Sequence, residues 1–323
     1  MLRLTSRLRN RLAGERGAVA VMVSLLLVPM FGFAAIAVDI GSLYAEKARL
    51  QIAADAAAFA VAHDCSLGRC GDMLATARAL VVANDGEAST LQPVLNGVPL
   101  SVTVTGRTPK KHWFAPVIGY DATAVSATAT VGWGAPSGGT AVLPLTFSWC
   151  SFQKQTGGGI PSTSVVQTIK LTKSADEASC AGPSKNVVPG GFGYLETDGT
   201  GCDVAGVIGR LLNSSTGNTP PKGCDPGDFK GWLNQTVLLP IFDQAGDTGS
   251  HAWYRVYGYA AFTLTGFEFG GQFSTDKKVC GPKSTGEDRC VTGYFTRFVE
   301  TSDDWDTDPD APQLGTSILR LIR

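Results

Sequence analysis

The residues best suited to chemistry are eight cysteines, three histidines and a run of aspartates. Cys65, Cys70, Cys150, Cys180, Cys202, Cys224, Cys280 and Cys290 make an even set. No C-x-x-C pair occurs, and His63, His112 and His251 are scattered, so metal-ligand spacing is absent. An even count is what an exported, disulfide-bonded chain carries. The sequential pairing is the expectation, with Cys65–Cys70 and Cys280–Cys290 closing short loops. Asp303, Asp304, Asp306, Asp308 and Asp310 alternate with other residues, and alternating carboxylates suit a hard cation. Asp304, Asp306 and Asp308 are the Ca²⁺ candidates. Against them, Pro309 stands where an EF-hand needs its turn glycine, and a solvated acidic loop is the simpler expectation.

Other chemistry finds less support. There is no G-x-S-x-G, H-E-x-x-H or Walker A motif, and three histidines leave few candidates for a triad or zinc site. Carboxylate pairs occur on any surface and name no glycosidase by themselves. The chain is expected to be non-catalytic, with no cofactor and no small-molecule substrate. A formal net charge of −1 argues against a general nucleic-acid binder, because no basic surplus exists to displace counterions from phosphate. Lys110-Lys111-His112 is read as a solvated turn. Trp253, Tyr254, Tyr257 and Tyr259 suit a glycan-binding face, but a strand core claims such aromatics more often.

The elements that position these residues begin with one segment. Ala18–Val38 is a run of 21 residues without a charge. At about 1.5 Å per residue it spans about 30 Å of hydrocarbon. Arg3, Arg7, Arg9, Arg11 and Arg16 precede it against Glu15 alone, and Asp39 follows it. The positive-inside rule then places residues 1–17 in the cytoplasm and the remainder outside the cell membrane. A signal peptide cut near Ala35-Ile36-Ala37 is the rival reading, but the apolar run exceeds the usual length of such a region.

Beyond Asp39, Ile40, Leu43, Tyr44, Ala48 and Ile52 fall at three- and four-residue steps, and an alanine-rich stretch runs on to Ala60. One long helix is therefore expected from about 18 to 62. Its small alanine face suits either its own ectodomain or a partner helix. A second helix is expected over 72–84. Leu100, Val102 and Val104 alternate as a strand, 110–119 form a short helix or turn, and 122–131 alternate again. Ala135–Gly139 reads as a linker. Further strands are expected at 141–149, 164–171, 236–242, 252–265, 291–300 and 314–322. The 256–264 stretch has apolar residues in both registers, as in a strand covered on both faces. The fold class is α+β: a basic tail (1–17), a membrane helix (18–38), a helical stalk with a small α+β unit (39–134), and a β-rich, disulfide-pinned extracytoplasmic domain (140–323).

The N-terminal residues carry an ordered set of motifs. These are Arg16-Gly17-Ala18-Val19, then the apolar span, Val38-Asp39-Ile40-Gly41, Leu43-Tyr44, Leu50-Gln51, and Ala53-Ala54-Asp55 with Ala56-Ala57-Ala58 and Ala60. This set resembles the TadE/TadG-like N-terminal domain of Flp/Tad pilus-assembly proteins. Trp113-Phe114 and Ile118-Gly119 resemble the segment that follows in such proteins. Gly193-Tyr194-Leu195, Val237–Asp243, Gly258–Gly266 and Gly293-Tyr294-Phe295 resemble the extracellular part of some members. The resemblance implies a membrane-anchored minor pilin-like or scaffold component, with other Tad proteins as partners through the N-terminal helix and the lipid bilayer as its setting. It points to Asp39, Gly41, Tyr44, Gln51 and Asp55 as assembly residues. Two departures stand out. Pilin precursors carry a glutamate five residues past the cut, but Met22 follows Gly17 and Val19 follows Gly14 at that distance, so an uncleaved anchor is expected. The D-x-S-x-S motif of a von Willebrand factor A domain is also absent. The alternative is an exported cell-envelope or glycan-binding module without pilus partners.

Overall fold

The computed structural model describes residues 16–85, 90–97, 100–172, 178–215, 217–247, 251–276, 278–282 and 288–322. The arginines expected to form the basic tail lie outside these residues, apart from Arg16. The architecture is α+β: an apolar N-terminal helix, a small helix, and a strand-rich remainder with four disulfides.

Helix α1 runs unbroken over Arg16–Ser66, 51 residues, with Pro29 inside it. Its lower turns are apolar and exposed on every side. Among the described residues it is the one helix long and apolar enough to cross a membrane. Helix α2 (Met73–Asp85) follows, one residue from its expected start.

The chain divides into two compact units that interleave along the sequence. The first takes residues up to Ala58, Met73–Val94 and Thr103–Ala129; the second takes Phe59–Asp72, Leu95–Val102 and Thr130–Arg323. This interleaving differs from a contiguous division near 134–140. Its cause is strand β3, which runs from Ala122 to Ala141 straight through the expected linker. Gly138 and Gly139 are there for close packing rather than flexibility. A Cβ on Gly139 would stand 2.4 Å from the Trp305 ring, and one on Gly138 would stand 3.2 Å from the Gly206 carbonyl.

In the first unit, β1 (Thr90–Asn96), β2 (Ser101–Lys111) and the early part of β3 are neighbouring strands. Helix α1 packs on them. Leu50 is fully buried, and a Cβ on Gly106 of β2 would lie 3.0 Å from its Cδ1 and 3.6 Å from Leu91 of β1. Gln51 Nε2 donates to the Thr128 carbonyl of β3 at 3.1 Å. Between β2 and β3 the chain makes a 3₁₀ turn, Ala115–Ile118, where a helix or turn was expected.

Beyond β3 the second unit continues with β4 (Leu145–Ser148) and helix α3 (Trp149–Thr156). The expected strand 141–149 is thus cut short. The Ser148 side chain accepts the Cys150 N–H, an N-cap that starts α3 one residue later. The strands β5 (Gln167–Lys170), β6 (Cys180–Ala181), β7 (Val187–Val188), β8 (Phe192–Tyr194), β9 (Val204–Val207) and β10 (Leu211–Asn213) are short. After helix α4 (Pro226–Gly231) come the long strands β11 (Thr236–Gly246) and β12 (Trp253–Gly270), then β13 (Phe273–Ser274) and β14 (Cys290–Thr296). The main sheet has the order β5-β14-β12-β11-β4-β8. β12 lies at its centre with both faces buried along Tyr259–Leu264, as the two-register pattern indicated. β15 (Phe298–Glu300), β16 (Trp305–Asp308) and β17 (Thr316–Ile322) complete the unit; β17 pairs with β15 in parallel and with β3 antiparallel over Thr130–Gly134.

The core is aromatic. Phe147, Phe262 and Phe295 meet with ring centroids 4.5–5.5 Å apart, and Phe152 abuts Phe295 at 5.1 Å. Such pairs contribute beyond the area they bury. Tyr254 and Tyr259 are buried, and Trp253 and Tyr257 are half-buried, so core packing rather than a glycan face claims this cluster. The disulfides are sequential: Cys65–Cys70, Cys150–Cys180, Cys202–Cys224 and Cys280–Cys290.

Candidate functional site

The site is built on α1 within the first unit, and its organising residue is Asp39. The resemblance points to this aspartate as an assembly residue at the outer end of the apolar run. The structure gives it a partner within its own chain. Its Oδ1 accepts the Trp113 N–H at 2.8 Å, and its Oδ2 accepts the Phe114 N–H at 3.1 Å and the Ala115 N–H at 2.8 Å. The side chain is buried beneath that loop. The donors are orphan amides at the start of the 3₁₀ turn, which have no carbonyl of their own to reach. Burial by itself would raise the Asp39 carboxyl, but the bonds from Trp113, Ala115 and Phe114, with the His112 charge nearby, outweigh it and hold the group below its usual value.

A second clasp lies two turns further on. Glu46 is buried, and Lys110 of β2 donates to its Oε2 at 2.8 Å. Gln51 Nε2 also donates to Asp55 Oδ1 at 2.8 Å. Asp39 and Glu46, seven residues apart, and Leu50, Ala53, Ala54, Ala57 and Ala58, at three- and four-residue steps beyond, thus form one buried stripe. Alanine lets the helix approach its sheet closely.

The alanine face thus packs on the chain's own sheet, one of the two settings expected for it, while the row of larger apolar residues on the same helix stays open. Ile40 is 52% exposed, Tyr44 76% and Ile52 59%, and Ala48 is exposed as well. Only Leu43 of that set is half-buried. The fold chose the alanine stripe because small residues can meet a sheet, and it left the i, i+4 row of larger apolar residues open. Of the five assembly candidates, Asp39, Gln51 and Asp55 are engaged by their own chain. Gly41 and Tyr44 remain on the open surface, and nothing lies within 4 Å of where a Gly41 Cβ would stand.

Beside Asp39 a groove of about 500 Å³ opens between α1 and the 3₁₀ turn. Gly32, Ile36, Leu43, Phe114, Val117 and Ile118 are among its lining, which is almost wholly apolar. Neither this groove nor the Asp39 clasp, whose partners lie 74–76 residues away, is legible in local sequence pattern. The signal that was visible is composition: Trp113–Tyr120 has no charge and is rich in aromatic and branched residues.

The cation candidates are not gathered. Asp304 accepts the Ser302 hydroxyl at 2.7 Å, Asp306 pairs with Arg320 at 3.8 Å, and Asp308 accepts the Asp310 N–H at 2.8 Å. Strand β16 spaces Asp306 and Asp308 along an extended backbone, and Asp304 precedes it in a turn. Among the described residues, the one cluster with ligand-like spacing is Cys202, Cys224 and Asp228, whose two sulfurs are bonded to each other. Buried Asp243 lies where the β11–β12 register slips; it takes the Ser184 hydroxyl and pairs with Arg255 at 3.5 Å, so it too is structurally engaged.

Comparison with known proteins adds one match. Residues 17–64 fit the model of the Tad family, Flp pilus-assembly TadE/G-like. The match covers the apolar helix and the whole alanine stripe, Asp39 included. No curated protein and no solved structure matches the chain.

Proposed function

We propose that this chain is a single-pass, membrane-anchored, minor pilin-like or scaffold component of Flp/Tad pilus assembly and secretion, non-catalytic, with its N-terminal tail in the cytoplasm and its strand-rich part outside. One observation carries the reading. Within the family-matched segment, the buried alanine stripe is satisfied by the chain's own sheet, while Ile40, Tyr44 and Ile52 stay exposed on the same helix. An exposed apolar row that continues a membrane helix is a surface for another helix, read at i and i+4. Its partners are other Tad components, and binding needs no cofactor or small-molecule substrate.

The test is a pull-down of the full-length protein from native membranes, with mass spectrometry that includes the N-terminal peptide. Recovery of Tad platform or pilin proteins with residues 1–17 intact is the expected result. A soluble form beginning near Val38, without Tad partners, overturns it in favour of an exported envelope-binding module.

A further inference from the structure

The 3₁₀ turn between β2 and β3 does nothing for the core. Residues Trp113–Tyr120 are uncharged, and five of them are large, apolar or aromatic, and exposed: Trp113, Phe114, Val117, Ile118 and Tyr120. Val117 at the tip is 90% exposed. A loop facing water has no reason to present such a surface, and exposed apolar patches mark interaction sites.

Three observations identify the partner. The first is position. Asp39 fastens the start of the turn beside the outer end of the uncharged run 18–38, and the groove beneath the turn reaches along α1 from Leu43 down to Gly32. That is 12 residues of helix, about 16 Å of axis. The tip therefore lies alongside helix that is itself exposed and apolar. The second is backbone satisfaction. Trp113, Phe114 and Ala115 give their N–H groups to Asp39; Val117, Gly119 and Tyr120 donate to Phe114, Pro116 and Ala115; and Pro116 has no N–H. Pairing of these N–H groups is what irregular backbone needs at membrane depth. The third is chemistry at the edges. Trp113 and Tyr120 bracket the apolar tip, and exposed Lys111 precedes it, the arrangement of an interfacial belt with a cation at headgroup level.

We infer that Trp113–Tyr120 is a membrane-dipping tip that inserts into the leaflet at the Asp39 end of the span, so that the first unit is fixed to the lipid surface at two points. Asp39 is the latch that holds the tip at that depth. A second point of contact stops the unit from swivelling about a single helix and gives the exposed row on α1 a fixed direction. The inference rests on residues 18–38 crossing the membrane, and the test separates the two ideas.

All eight cysteines are bridged, so an added cysteine is the one thiol available for labelling. Full-length protein carrying Ile36→Cys, Val117→Cys or Val187→Cys is labelled with an environment-sensitive fluorophore, reconstituted in phosphatidylcholine vesicles, and challenged with lipids bearing nitroxide quenchers. Val187 is 78% exposed on the second unit and serves as the aqueous control. The expected result is loss of emission at both 36 and 117 and none at 187, with shallow quenchers acting most strongly on 117. Quenching at 36 but not at 117 overturns the inference and leaves the span standing. Quenching at neither removes the span and the inference with it. A blue-shifted label at 117 that lipid quenchers do not reach means a protein surface covers the tip, which also overturns it. Tyr120→Cys repeats the measurement at a second exposed position.

Discussion

The rotational setting of α1 decides which of its faces is available to a partner, and a paired substitution measures it. Leu50 is fully buried against Gly106 and Leu91, whereas Tyr44, six residues earlier on the same helix, is mostly exposed. Leu50→Ala removes three buried carbons. At about 0.8 kcal/mol per buried methylene this costs about 2.4 kcal/mol, rising toward about 5 kcal/mol if the site does not collapse around the cavity. Tyr44→Ala removes a side chain that touches little and falls within about 0.5 kcal/mol of neutral. Hydrogen exchange of the β2 amides reports opening of the helix–sheet contact directly. With 1.36 kcal/mol per tenfold, Leu50→Ala speeds that exchange about 60-fold or more, and Tyr44→Ala leaves it unchanged. In the pull-down the order reverses: Tyr44→Ala loses Tad partners while its fold is intact. Equal exchange in the two variants, or faster exchange in Tyr44→Ala, would refute the assignment of faces.

Two further outcomes follow from the same geometry. The Asp39 carboxyl is held below its usual value by amide donors, so the clasp is fully formed above about pH 3.9 and is lost as pH falls through the lowered folded value; a carbon-13 titration of that side chain with a midpoint at or above about 3.9 contradicts it. Removing the Cys150–Cys180 bridge, which closes a separation of 30 residues, lowers stability by about 3.6 kcal/mol on chain-entropy grounds, against about 2 kcal/mol for Cys65–Cys70 at a separation of 5. Denaturant unfolding of the two double serine variants checks this, and equal costs would contradict the loop-length argument.

The sequence by itself determined whatever depends on local composition or on period. An uncharged run of 21 residues forms an apolar helix whatever surrounds it, and Pro29 within it leaves the helix unbroken. Apolar residues in both registers marked 256–264 as a strand covered on both faces, which is β12, and the last strand expected, 314–322, is β17. The ordered motifs around Asp39 pointed to the family whose model matches residues 17–64. Tertiary structure decided what depends on which surface meets which. Ile40-Tyr44-Ile52 and the alanine stripe both satisfy helical spacing, and spacing alone does not say which of them meets a sheet. Close approach to a sheet, as at Gly106, selected the small residues instead. Gly138 and Gly139 read as part of a linker, but Trp305, more than 160 positions away, packs against Gly139, and Gly206 and Val207 pack against Gly138. The carboxylate of Asp39 carries no local sign that its donors will be the amides of 113–115. Loop closure over such distances is set by the global fold, and periodicity along the chain does not report it.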